Sequence, residues 1–136
     1  MTILGYIFRV TSIEKMPLEY FFSEKDGLLV VSLKGVLDDE QQAVVEKCVA
    51  EAKEKHPLGI VVNLSEATGL GREAYRPFAL LLRGLKTICR AVKVTGLDAN
   101  VQTLFVEQGL VSLSELRPSL AEALKELAQQ IRIGSE

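Results

Sequence analysis

Apolar residues follow two rhythms along this chain, and the alternation between them predicts an α/β fold. Residues 58–64, Leu-Gly-Ile-Val-Val-Asn-Leu, are nearly continuous in apolar character, as expected of a strand covered on both faces. Residues 72–90 repeat at helical spacing instead. At about 100° per residue, Ala74, Phe78, Leu81, Leu82, Leu85, Ile88 and Cys89 fall on one arc, which must face the sheet. Arg72, Arg76, Arg83, Lys86 and Arg90 fall on the opposite arc, and Pro77 stands in the first turns, where a missing amide costs least. The small-residue bend between the two segments, residues 65–71, lies at the carboxyl end of the strand. Open α/β sheets present their working residues there.

The rest of the chain repeats these rhythms. Residues 3–10, rich in β-branched and aromatic side chains, read as a strand, and a polar connection leads from it to Pro17. A second strand over residues 18–24 and a third over 28–34 flank Lys-Asp-Gly, a hairpin signal. Asp38 or Asp39 caps a helix over residues 40–55, in which Val44 or Val45, Cys48, Val49 and Ala52 form the inward stripe. Lys53, Lys55 and His56 suit its negative end, and Pro57 stops it. Residues 91–96 read as a further core strand. Asp98 caps a helix over 99–108 with Val101, Leu104 and Phe105 inward and Gly109 at its end. Residues 110–113 are expected to form a short edge strand. A last helix starts at Arg117-Pro-Ser and ends near Ile131. The expectation is one α/β domain with a mixed sheet of four or five strands and about four helices. An amino-terminal extension spans residues 1–17, the domain 18–132 and a flexible tail 133–136.

Composition narrows the functional classes. A chain of 136 residues, 48% apolar and 25% charged with net charge −2, suits one globular domain and gives no sign of nucleic acid as a partner. No run reaches the ~18 apolar residues of a membrane span, and no targeting segment is visible, so a cytoplasmic location is expected. Cys48 and Cys89 read as buried thiols. A lone histidine, His56, makes a zinc site or a Ser-His-Asp site improbable. Gly69-Leu-Gly71 matches part of a dinucleotide fingerprint, but no acidic residue follows at ribose distance, and a tight turn accounts for the glycines. No cofactor is expected. The hydroxyls of Ser65 and Thr68 are possible phosphorylation sites, although turn formation is their ordinary role.

Several short motifs occur in a familiar order: the hairpin of residues 24–34, Gly35-Val-Leu-Asp38, Val61-Val-Asn-Leu-Ser65, Val94-Thr-Gly-Leu97, residues 101–110 and Glu122-Ala-Leu124. Over residues 18–128 the chain resembles the STAS domain family, the sulfate-transporter and anti-sigma-factor-antagonist domains. Asn63 stands where that family has aspartate. The resemblance implies a small bacterial signalling domain that binds other proteins and is not an enzyme. Antagonist members carry a phosphorylatable hydroxyl in Asp-Ser-Ser/Thr-Gly at the start of the second helix, and a partner kinase that is also an anti-sigma factor modifies it. Here that motif becomes Gly71-Arg72-Glu73-Ala74, with Arg72 at the acceptor position. The resemblance therefore implies partner binding through Asp38, Gly71, Arg72, Glu73 and Arg76, without the usual switch. Two other readings remain: a self-associating domain, such as a homodimer, paired through residues 3–10, and a module holding a nucleotide phosphate or lipid headgroup at residues 69–72.

Overall fold

The computed structural model describes residues 17–135. The strand expected over residues 3–10 lies outside them. Strand β1, Glu19–Lys25, and strand β2, Leu28–Val36, form the expected antiparallel hairpin. Its two turn residues, Asp26 and Gly27, have φ of 53° and 82°, the paired left-handed conformation of the tight hairpin turn that Asp-Gly favours. A 3-10 turn, Asp39–Gln41, then leads into helix α1, Gln42–Glu54. Strand β3, Gly59–Thr68, follows, and another 3-10 turn, Arg72–Ala74, opens helix α2, Tyr75–Ile88. Strand β4, Val92–Thr95, helix α3, Ala99–Glu107, and helix α4, Leu120–Ser135, complete the fold.

The strands lie in the order β1-β2-β3-β4, with β1 antiparallel and the others parallel. Strand alternation divides the core in two. Leu29, Val31 and Leu33 of β2, Ile60, Val62 and Leu64 of β3, and Val92 and Val94 of β4 pack with Val45, Cys48 and Ala52 of α1 and Phe78, Leu81, Leu82 and Leu85 of α2. Leu28 and Val61 point the other way, onto Ala123 and Leu127 of α4. Parallel strands buried on both faces explain the nearly unbroken apolar runs. Gly84 lets α1 and α2 approach closely, since a Cβ there would lie 2.9 Å from a methyl of Val49. Phe105 of α3 packs tilted against Phe78 at 4.9 Å and meets Tyr75 edge-on at 5.7 Å, tying α3 to α2.

The structure corrects several boundaries. Strand β3 continues four residues past Leu64, because β2 also continues and pairs Lys34, Gly35 and Val36 with Glu66, Ala67 and Thr68. A bulge makes this possible: between the Ser32–Asn63 and Lys34–Glu66 pairs, β3 carries one residue more than β2. Ser65 and Thr68 thus lie on a strand, and the bend shrinks to residues 69–71. Leu58 is 57% exposed and precedes the ladder, its amide donating to the Gly27 carbonyl at 2.8 Å. The α-helix expected from Arg72 to Arg90 is shorter at both ends, and Cys89 is extended and half-buried. Leu104, expected inward, is 41% exposed. No strand forms over residues 110–113. There the Ser112 amide is held by the Glu115 carboxylate at 2.9 Å, and the backbone that follows pairs with β4 through a single Val94–Leu116 bridge. The last helix continues to Ser135 instead of ending near Ile131, and the Ser119 hydroxyl caps its start by accepting from the Glu122 amide at 3.2 Å.

Candidate functional site

The carboxyl ends of β2 and β3 bring two short segments together. From β2 the chain passes through Leu37, which is fully buried, into Asp38, whose carboxylate accepts from the Glu40 amide at 3.0 Å and caps the 3-10 turn. From β3 it turns at residues 69–71. Gly69 has φ +64°, and a Cβ there would sit 3.4 Å from a methyl of Val36. The left-handed backbone favours glycine at position 69, whereas Gly71 is extended and a Cβ there would make only an ordinary contact, 3.6 Å from the Glu73 carboxylate. The Gly71 amide donates to the Gly69 carbonyl at 2.8 Å, and its own carbonyl accepts from Ala74 at 3.0 Å. Leu70 packs against the main core and Ala74 is buried within it, which anchors the bend at two points.

Between these anchors the charged side chains point outward. Arg72, Glu73 and Arg76 are exposed, Asp38 and Gly71 half-exposed. The turn Asp39–Gln41 contacts α2, so Asp38 and residues 71–76 share one end of the sheet. Ser65 and Thr68 are exposed on β3. The Ser65 backbone is tightly packed from the side of β4: a Cβ on Gly96, where φ is +91°, would lie 2.3 Å from the Ser65 amide nitrogen. Asn63 completes the bulge, its side-chain oxygen accepting from the Ser65 amide at 3.1 Å. Asn63, where the resemblance leads one to expect aspartate, thus has a structural role of its own. An amide oxygen serves this bond as a carboxylate would.

Elsewhere the chain holds a polar cluster that its sequence did not announce. Lys93, 7% exposed, donates to the Ser114 carbonyl at 2.8 Å and pairs with Glu126 at 3.1 Å. Arg117 grips both oxygens of Glu126. The Arg117 hydrogen bonds first, and Lys93 second, bring the Glu126 carboxyl down to about 2. On the far edge, burial first and a hydrogen bond to Glu51 second push the Tyr20 phenol up to about 12. Burial likewise pushes the Cys48 thiol up to about 12, which leaves it unreactive in the core. Among the described residues, no group of three or more His, Cys, Asp or Glu is arranged to hold a metal, and no helix is long and apolar enough to cross a membrane.

No protein-family model and no curated protein matches the chain by sequence. Solved structures match it by fold. An anti-sigma factor antagonist from Mycobacterium paratuberculosis superimposes with TM-score 0.67 at 22% identity, covering 82% of this chain and 94% of that one. A variant of RsbS from Moorella thermoacetica gives TM-score 0.69 at 18% identity, over 84% and 98% of the two chains. The phosphorylated form of SpoIIAA, the Bacillus cell fate determinant, gives 0.57 at 13% identity, over 80% and 99%. The fold is thus that of the anti-sigma factor antagonist structures, as the motif order had implied.

Proposed function

We propose that this chain is a non-enzymatic, regulatory interaction module of the anti-sigma factor antagonist type, working in the cytoplasm of a bacterial cell. It binds a protein partner, an anti-sigma factor or kinase-like regulator, through Asp38, Gly71, Arg72, Glu73 and Arg76. One observation carries this reading. Arg72, Glu73 and Arg76 stand exposed beside the Asp38 turn, on a bend that Gly69, Leu70 and Ala74 hold in place from beneath. Such a surface presents charge on a rigid base, which favours fast and selective association.

In this proposal the module lacks the usual switch, because an arginine occupies the acceptor position. A permanent positive charge stands where relatives of this type would alternate between a neutral hydroxyl and a phosphate. The phosphate-binding alternative has less support, because the Gly71 amide is already used within the bend. Incubation with anti-sigma factor kinases and ATP, followed by mass spectrometry of the intact chain, tests the absent switch. The expected result is an unchanged mass. Stoichiometric phosphate on Ser65 or Thr68 would show a switch displaced onto β3 and overturn the switch-free reading.

A further inference from the structure

We propose a second docking surface, in the groove between the carboxyl-terminal half of α2 and the segment that follows α3, and that it receives an acidic segment of a protein partner. Two adjoining clefts, of about 740 and 430 Å³, share Lys86, Gly109 and Leu110 and together form this groove. It lies beyond the Asp38 and Arg72 surface, since Arg83 is two helical turns past Arg76, roughly 10 Å along the axis.

Charge and apolar surface together indicate the occupant. Arg83, Lys86 and Arg90 border the groove and are exposed. Glu115 is the one carboxylate in its lining, and Lys86 pairs with it at 2.5 Å. Lys93 is likewise occupied, by Glu126. Arg83 and Arg90 make no ion pair among the described residues, so the groove keeps two uncompensated positive charges in a chain of net charge −2. Between them lies apolar surface. Leu82 and Val111 are buried in its floor, while Leu113 at the edge is 73% exposed. An exposed leucine alone is ordinary. A leucine beside a groove with unpaired arginines gives an apolar anchor point next to uncompensated positive charge.

Other occupants fit less well. Residues 1–16 carry Arg9, Lys15 and Glu14, a positive balance that the arginines repel. Nucleic acid would match the charge, but neither cleft contains an aromatic side chain on which bases could stack. A peptide bearing carboxylates for Arg83 and Arg90 and an apolar side chain for Leu113 satisfies both features.

The test uses the full chain, labelled with ¹⁵N, and a fluorescein-labelled peptide of alternating leucine and glutamate. Controls are the same peptide with lysine for glutamate, and oligothymidylate. The acidic peptide is expected to raise anisotropy and shift the amides of residues 83–90 and 109–113. Arg83→Glu with Arg90→Glu weakens that binding by about tenfold or more, with the circular dichroism spectrum unchanged. Leu113→Ser weakens it less, and Arg72→Glu leaves it unaltered, so the two surfaces can fail separately. The proposal is overturned by no shift at about 1 mM peptide, or by equal binding of the lysine peptide or of oligothymidylate. Full binding by the double variant, or concentration-dependent self-association that protects the same amides, also overturns it.

Discussion

Arg72 and Lys93 are both cations near the ends of adjacent parallel strands, and the fold treats them oppositely. Arg72 projects into solvent with no ion partner among the described residues. Lys93 is 7% exposed and held by the Ser114 carbonyl and by Glu126, which Arg117 grips in turn. A buried ammonium needs a partner, so the identities of Lys93 and Glu126 are tied to the fold. Nothing structural ties the identity of Arg72. The residue at position 72 is therefore open to change without loss of architecture, as a position that sets partner choice requires.

Breaking the tightly built side gives the largest effect. Gly96→Ala places a Cβ against the Ser65 backbone at a φ that L-residues rarely adopt, and urea denaturation should show a loss of roughly 3 kcal/mol. Glu126→Gln comes next and has a pH signature. The folded carboxyl titrates near 2, below the ordinary 4.5. Its stabilising contribution is thus complete above about pH 4.5 and fades as pH falls toward about 2. The variant should melt at a lower temperature at pH 7, and the gap should close on acidification through that window. An equal gap at all pH values would contradict the paired cluster.

Smaller effects are expected on the exposed side. Asp38→Ala removes the oxygen that caps the 3-10 turn and should cost about 1 kcal/mol in chemical denaturation. Arg72→Glu should change stability by less than about 0.5 kcal/mol, because exposed charges without a partner contribute little to folding. A large loss at Arg72 would erase the contrast with Lys93.

Much of this contrast follows from local pattern, and some of it does not. The buried arc Ala74, Phe78, Leu81, Leu82 and Leu85 was legible because helical spacing alone determines it. The hairpin was legible because Asp26 and Gly27 accept left-handed backbone. Strand β3 was read too short, since Ser65, Glu66 and Thr68 lack apolar character and their pairing is dictated by β2. The edge strand over residues 110–113 failed because Glu115 turns the chain back onto Ser112, a contact no periodicity reveals. Lys93 was unread for a related reason: its partner Glu126 stands far along the chain on another element. On the exposed surface, the sequence offered Arg72, Glu73 and Arg76 only as candidates and did not show what lies beneath them, which is the bend anchored by Gly69, Leu70 and Ala74.

Paired measurement of binding and stability for one variant tests the central claim most directly. Purified anti-sigma factor kinases would be titrated calorimetrically with the full chain and with Arg72→Glu, and both chains melted in the same buffer. The prediction is binding by at least one kinase, weakened by about tenfold or more in the variant at unchanged Tm. Undiminished binding by the variant, or no binding across the panel, would contradict it.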